Sequence, residues 1–95
     1  MYKNITTDEL KSLIGRINII DVRDSYLFNL GNIPTSRNIP MNYILLEPNK
    51  YLNQNDIYYI YCTQGMQSSK VCYSLSLKGY KVINVLGGYN DYINR

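Results

Sequence analysis

An α/β sandwich on a mainly parallel sheet, with right-handed crossovers, is the fold class this sequence predicts, and three observations carry it. Compact β-branched and aromatic runs at 17–22, 57–61 and 81–86 alternate with segments of helical spacing. Glycine and proline fall between these runs and punctuate them. The 95 residues, 45% hydrophobic and 18% charged, suit one domain over 1–95 that folds without staples. A chain of this length buries roughly 65% of its unfolded surface.

In chain order, Thr6 with Glu9 three residues on is a capping-box pattern ahead of Leu10, Leu13 and Ile14. It predicts a first helix that stops at Gly15. The run Ile17-Asn18-Ile19-Ile20-Asp21-Val22 reads as a buried strand, and residues 25–30 as a helical turn ended by Gly31. Pro34, Pro40 and Pro48 mark an irregular middle with a short helix near 43–46. A second strand follows at 57–61, in which Tyr58, Tyr59 and Tyr61 alternate as structural residues. Residues 71–78 read as the tail of a helix ended by Gly79, residues 81–86 as a third strand, and Gly87-Gly88 as a turn into a last helix at 89–93.

Composition removes several function classes. No apolar run approaches the roughly 18 residues of a membrane span, and the N-terminus opens no signal-peptide run, so a cytoplasmic protein without membrane contact is expected. The net charge of +3 comes from ten Lys and Arg scattered along the chain, which fits a small anion better than nucleic acid. There is no histidine, which excludes His-based dyads and His-ligated metal, and two cysteines cannot make a zinc tetrad. No metal or other cofactor is expected.

One segment carries chemistry: Tyr61-Cys62-Thr63-Gln64-Gly65-Met66-Gln67-Ser68-Ser69. It places a cysteine at the C-terminal end of a buried strand, before a glycine-containing loop that opens a helix, where α/β sheets usually bind ligands. Backbone N–H groups of such a loop can point inward, and the helix N-terminus adds roughly half a positive charge. Both favour a thiolate, so Cys62 reads as a nucleophile that needs no histidine. Gly65 gives the backbone freedom for close approach, and Ser68 and Ser69 can cap the helix or donate inward. Cys72 shares an apolar helical face with Val71 and Leu75 and lies ten residues along, too far from Cys62 for a bridge, so it is read as core. Asp21 and Arg23, at the end of the neighbouring strand, are read as a pair that fixes the loop.

With these motifs in view, the chain resembles the rhodanese family along nearly its whole length. Residues 5–10 look like that family's opening helix, Ile19-Ile20-Asp21-Val22-Arg23 like its "IDVR" strand, and Gly31-Asn32-Ile33-Pro34 with Asn38-Ile39-Pro40 like its "GHIPGA…NIP" segment. Residues 61–68 are similar to its "YCxxGxRS" loop, and residues 79–89 to its "GY…V…L.GG" ending. The resemblance implies a three-layer sandwich with a mainly parallel five-stranded sheet flanked by helices. It also implies a Cys62 persulfide as the intermediate of sulfur transfer, and substrate contacts from Thr63, Gln64, Gly65, Met66, Gln67 and Ser68.

Three residues depart from the family's pattern: Asn32 for its His, Tyr92 for its Trp and Gln67 for its Arg. The first two read as structural substitutions. Gln67 withdraws a charge and a bidentate fork from an anionic donor, which argues against thiosulfate as a good substrate but not against persulfide formation. The six-residue loop from Cys62 to Gln67 matches the sulfur-handling members. Tyrosine phosphatases and arsenate reductases need Cys-x5-Arg, and Ser68 occupies the arginine position. The resulting expectation is a sulfurtransferase that takes sulfane sulfur from thiosulfate or a persulfide and passes it to a thiol, cyanide or protein acceptor. The alternative is a non-catalytic rhodanese module that binds a partner or small anion.

Overall fold

The structure, a computed structural model, describes residues 1–94. Among them, five strands form one sheet: β1 (Lys3–Ile5), β2 (Asn18–Asp21), β3 (Arg37–Asn38), β4 (Ile57–Tyr61) and β5 (Lys81–Val85). Their spatial order is β1-β5-β4-β2-β3, and every neighbouring pair is parallel. The helices are α1 (Thr7–Lys11), α2 (Ser25–Leu30), α3 (Met41–Leu46), α4 (Pro48–Tyr51), α5 (Met66–Leu77) and α6 (Gly88–Ile93). None of them is long and apolar enough to cross a membrane.

Side chains alternate across a strand, so successive residues enter different cores. Ile20, Tyr58, Ile60, Cys62 and Val82 pack with Ile44 of α3 and with Val71, Cys72 and Leu75 of α5. Ile19, Tyr61 and Val85 pack on the opposite face with Leu10 of α1 and Tyr89 and Tyr92 of α6. Both faces of β4 are therefore covered from Tyr58 to Tyr61, which is why these positions are apolar or aromatic, while Ile57 at the strand's start stays exposed. Each aliphatic side chain so buried contributes about 1.5–3 kcal/mol.

The capping box at Thr6 forms as predicted, with Thr6 and Glu9 each accepting from the other's backbone N–H. The first helix is shorter than its spacing suggests. It ends at Lys11, and the chain tightens into turns in which the Leu13 N–H reaches Leu10 O and the Arg16 N–H reaches Leu13 O. Three elements escaped the residue pattern. β1 is held by its register with β5, Asn4 opposite Asn84, and by the Leu86 N–H donating to Ile5 O. β3 is two residues long, and the Asn38 amide ties it to the carbonyls of Asp21 and Arg23. Pro48 opens α4 at a position where its missing N–H costs nothing.

Tyr61 joins the sheet to the irregular middle. Its ring is fully buried, and its hydroxyl accepts the Ile33 N–H at 3.1 Å and bonds Ser36 Oγ at 3.0 Å. Burial, the largest influence, pushes its phenol well above the ordinary range. Tyr61→Phe strands the buried Ile33 N–H, so it is expected to cost about 1–3 kcal/mol. Thermal melting should record a loss of several degrees with far-UV dichroism unchanged; an unaltered melting temperature would contradict this account.

Candidate active site

Cys62 follows directly on β4 and keeps the strand's alternation, so its side chain lies on the α5 face, 3% exposed. The chain then reverses into α5 through Gly65, at φ +93, a left-handed conformation that side chains disfavour. A Cβ at Gly65 would also stand 3.0 Å from the Gly87 nitrogen. This turn aims two backbone donors at the sulfur: the Gly65 N–H at 3.1 Å and the Ser68 N–H at 3.2 Å from Sγ. The sulfur also sits at the N-terminal end of a 12-residue helix. Donors and helix dipole together stabilise negative charge on sulfur.

The start of α6 clamps the outer side of the loop. The Tyr89 N–H donates to Cys62 O at 2.8 Å and the Asn90 N–H to Thr63 O at 3.0 Å. Gly88, at φ +60, makes that approach possible, because a Cβ there would lie 2.4 Å from Cys62 O and 2.7 Å from Thr63 O.

A depression of about 400 Å³ opens over the sulfur, lined by Cys62, Thr63, Gln64, Met66, Gln67 and Lys70. Thr63 and Gln67 also border a second depression of about 290 Å³, shared with Arg23, Asp24, Met41 and Asn42. The sequence-predicted loop residues thus separate into two groups. Gly65 and Ser68 turn N–H groups inward, whereas Thr63, Gln64, Met66 and Gln67 form the rim. Ser69 bonds the Met66 carbonyl instead of facing inward. The sequence reading missed Lys70 on the rim and Asn84, which accepts the Ser68 hydroxyl at 2.6 Å. Lys70 lies one helical turn after Gln67, and that spacing was the available signal.

Cys72 is fully buried among apolar neighbours. Burial first, and then the nearby Cys62, push its thiol up to about 12. Asn32 donates from its amide to Phe28 O at 2.9 Å and closes the end of α2. Tyr92 stacks on Tyr89 at 6.1 Å, with the Lys11 ammonium over its ring.

Asp21 and Arg23 meet in a buried, two-pronged pair. The Arg23 Nε and Nη2 donate to Asp21 Oδ2 at 2.9 and 2.7 Å, and the Arg23 backbone N–H donates to Asp21 Oδ1 at 2.8 Å. The guanidinium also donates to Gly31 O and lies 4.4 Å from the Tyr89 ring centre. Burial opposes its charge, but bonding and attraction from Asp21 outweigh it and raise Arg23 above its ordinary value. Arg23→Ala leaves the fully buried Asp21 carboxylate uncompensated, an expected cost of about 3 kcal/mol. For a domain of this size that lowers the melting temperature by about 10 °C or more. Activity lost at unchanged stability would instead make Arg23 a substrate contact.

Comparison with known proteins fits this geometry. A family model described as "Rhodanese-like domain" matches residues 6–95. Among curated proteins, the chain is 36% identical over 89 residues to "Putative sulfurtransferase YtwF" of Bacillus subtilis (strain 168), covering 90% of this chain and 85% of that one. It is 34% identical over 80 residues to "Putative sulfur carrier protein YrkF" of the same organism, covering 83% of this chain. That match spans only 43% of YrkF, less than half its length. Among solved structures, a rhodanese-like domain protein from Staphylococcus aureus superposes with TM-score 0.87 at 38% identity, covering 95% of this chain and 90% of that one. A rhodanese-related protein from Thermoplasma volcanium gives TM-score 0.89 at 30% identity, covering 98% and 92%. The parallel five-stranded sheet, the cysteine at the end of β4 and the match over residues 6–95 lead to one conclusion: the chain belongs to the rhodanese-like domain family.

Proposed function

We propose that the chain is a sulfurtransferase in which Cys62 carries the sulfur. The observation that carries this reading is the convergence of the Gly65 and Ser68 N–H groups on Cys62 Sγ beneath an open depression. In the first step the Cys62 thiolate attacks the sulfane sulfur of the donor. The donor's S–S bond breaks and its electron pair leaves with sulfite, from thiosulfate, or with a thiolate, from a persulfide. Cys62 now bears a persulfide anion, held by the inward N–H donors and the end of α5. In the second step a thiol, cyanide or protein nucleophile attacks the outer sulfur, and the bond to Cys62 breaks to return the thiolate. No external oxidant or reductant is consumed.

Mass spectrometry after incubation with thiosulfate or a low-molecular persulfide should find one added sulfur atom on the protein. Cys62→Ser should abolish loading. Cys72→Ser should keep it while losing stability, because it places a hydroxyl in an apolar core. Iodoacetamide near neutral pH should label Cys62 first, since the Cys72 thiol stays protonated there. Loading that survives loss of Cys62 would overturn the assignment, and no loading from either donor would favour a non-catalytic binding module.

Gln67 is exposed on the rim of both depressions, where a guanidinium would face an anionic donor. Gln67→Arg should raise kcat/KM for thiosulfate about ten-fold, the worth of one hydrogen bond to a charged group. The gain should shrink as salt rises, because part of it is Coulombic, and persulfide donors should gain less. Unchanged thiosulfate turnover in a folded variant would mean that the backbone donors alone set anion affinity.

A further inference from the structure

Asn84 interrupts an apolar strand. Val82 and Val85 on β5 are buried core, and Asn84 is itself only 3% exposed. A buried amide is tolerated where its groups are bonded. Here Oδ1 accepts the Ser68 hydroxyl at 2.6 Å, and Nδ2 donates to Asn4 Oδ1 on β1 at 3.2 Å, which fixes the orientation of the amide. Ser68 is fully buried and has one hydroxyl hydrogen to give. Two acceptors lie within its reach, Asn84 Oδ1 at 2.6 Å and Gly65 O at 3.3 Å, and the Cys62 thiol donates to its oxygen at 3.4 Å. The short contact assigns the hydrogen to Asn84, so the Ser68 oxygen turns a lone pair toward the sulfur. That arrangement accepts from a thiol S–H and opposes an anion. For Ser68 to donate to an anionic sulfur, its hydroxyl must swing away and leave the buried Asn84 Oδ1 without its donor.

We propose that Asn84 is a positioning residue that sets the direction of the Ser68 hydroxyl, and thereby how readily the Cys62 sulfur gives up its proton and how nucleophilic the anion then is. Its bearing on turnover rests on the reading of Cys62 as the sulfur carrier. The ionisation itself is measured without any sulfur donor. The titratable and charged groups on the surrounding elements include Lys70 on the rim, Cys72 on α5, Tyr58 and Tyr61 on β4, the Asp21–Arg23 pair at the end of β2 and Asp91 on α6, which accepts from Thr7. All remain in place in the variants below, so their influence cancels in the comparison.

The experiment is the pH profile of Cys62 alkylation by iodoacetamide, read by peptide mass spectrometry on the full chain. Asn84→Leu, close to Asn in shape, frees the hydroxyl. The midpoint should move to lower pH by about half a unit, since donation to the charged form favours it. The high-pH plateau rate should fall about two-fold, because a less basic thiolate is a weaker nucleophile. Asn84→Asp, whose carboxylate holds the hydrogen more firmly, should move the midpoint the other way. In a Ser68→Ala background the Asn84→Leu shift should vanish and the Asn84→Asp shift should shrink to its through-space charge effect. The proposal is overturned if Asn84→Leu, shown folded by its melting curve, leaves midpoint and plateau unchanged, or if its shift persists without the Ser68 hydroxyl. Should Asn84→Leu fail to fold, an Asn84→Asp shift of equal size with and without Ser68 overturns it equally. Sulfur loading plays no part in these outcomes, so failure of the transfer reading and failure of this one are separable.

Discussion

The site depends on one packing constraint: the loop after β4 has to turn back within contact of the β5–α6 junction. Carbonyls of Cys62 and Thr63 face outward and are taken by the Tyr89 and Asn90 N–H groups. With the outer edge satisfied in this way, the Gly65 and Ser68 N–H groups are left facing the sulfur. Two glycines, one on each side, permit the approach, since a Cβ on Gly65 or Gly88 would meet backbone atoms of the opposing turn. Backbone donors therefore surround this sulfur in a chain that has no histidine to do so.

The buried Asp21–Arg23 pair supports that constraint from the side. Arg23 reaches the carbonyl of Gly31 and lies over Tyr89, the residue whose N–H holds the Cys62 carbonyl. One side chain thus links the end of β2, the end of α2 and the start of α6. Taking two charges out of water is costly, and good geometry only roughly offsets it. What the pair contributes is position: the guanidinium has a fixed fork, and each prong has a specified acceptor. Because Asp21 already neutralises Arg23, its charge in the neighbouring depression acts as part of a dipole rather than as a free cation.

Much of this was legible in the sequence, for physical reasons particular to each element. β4 announced itself because both of its faces are covered from Tyr58 onward, so Tyr58-Tyr59-Ile60-Tyr61 has no polar break. The loop 62–68 was legible because strand, cysteine, glycine and helix occur at a spacing that plain packing does not require. β1 and β3 were not legible. They are edge strands three and two residues long, and partners elsewhere in the chain hold them in place. The end of α1 was misplaced because Leu13 and Ile14 keep helical spacing while the backbone has already tightened. Asn84 was overlooked because polarity inside a strand reads as solvent exposure, and only the fold reveals that it faces Ser68.

The same topology explains why a single sulfur at this position can be controlled so closely. The order β1-β5-β4-β2-β3 puts β4 in the middle, between the strands that end at Asp21 and Val85. Alternation sends Tyr61 to one face, where its hydroxyl holds the Ile33 backbone, and Cys62 to the other, under the start of α5. Two consecutive residues thus anchor the two layers, and neither can move without disturbing a hydrogen-bonded partner. The groups bonded to the sulfur are N–H dipoles and one hydroxyl, with net charge zero, while the rim carries the Lys70 cation, a helical turn away from Gln67. Fixed dipoles act over a short range and are little screened when buried, so they distinguish where a negative charge sits more than how much charge arrives. Dipoles arranged this way act on charge at the sulfur itself more than on charge farther out over the rim.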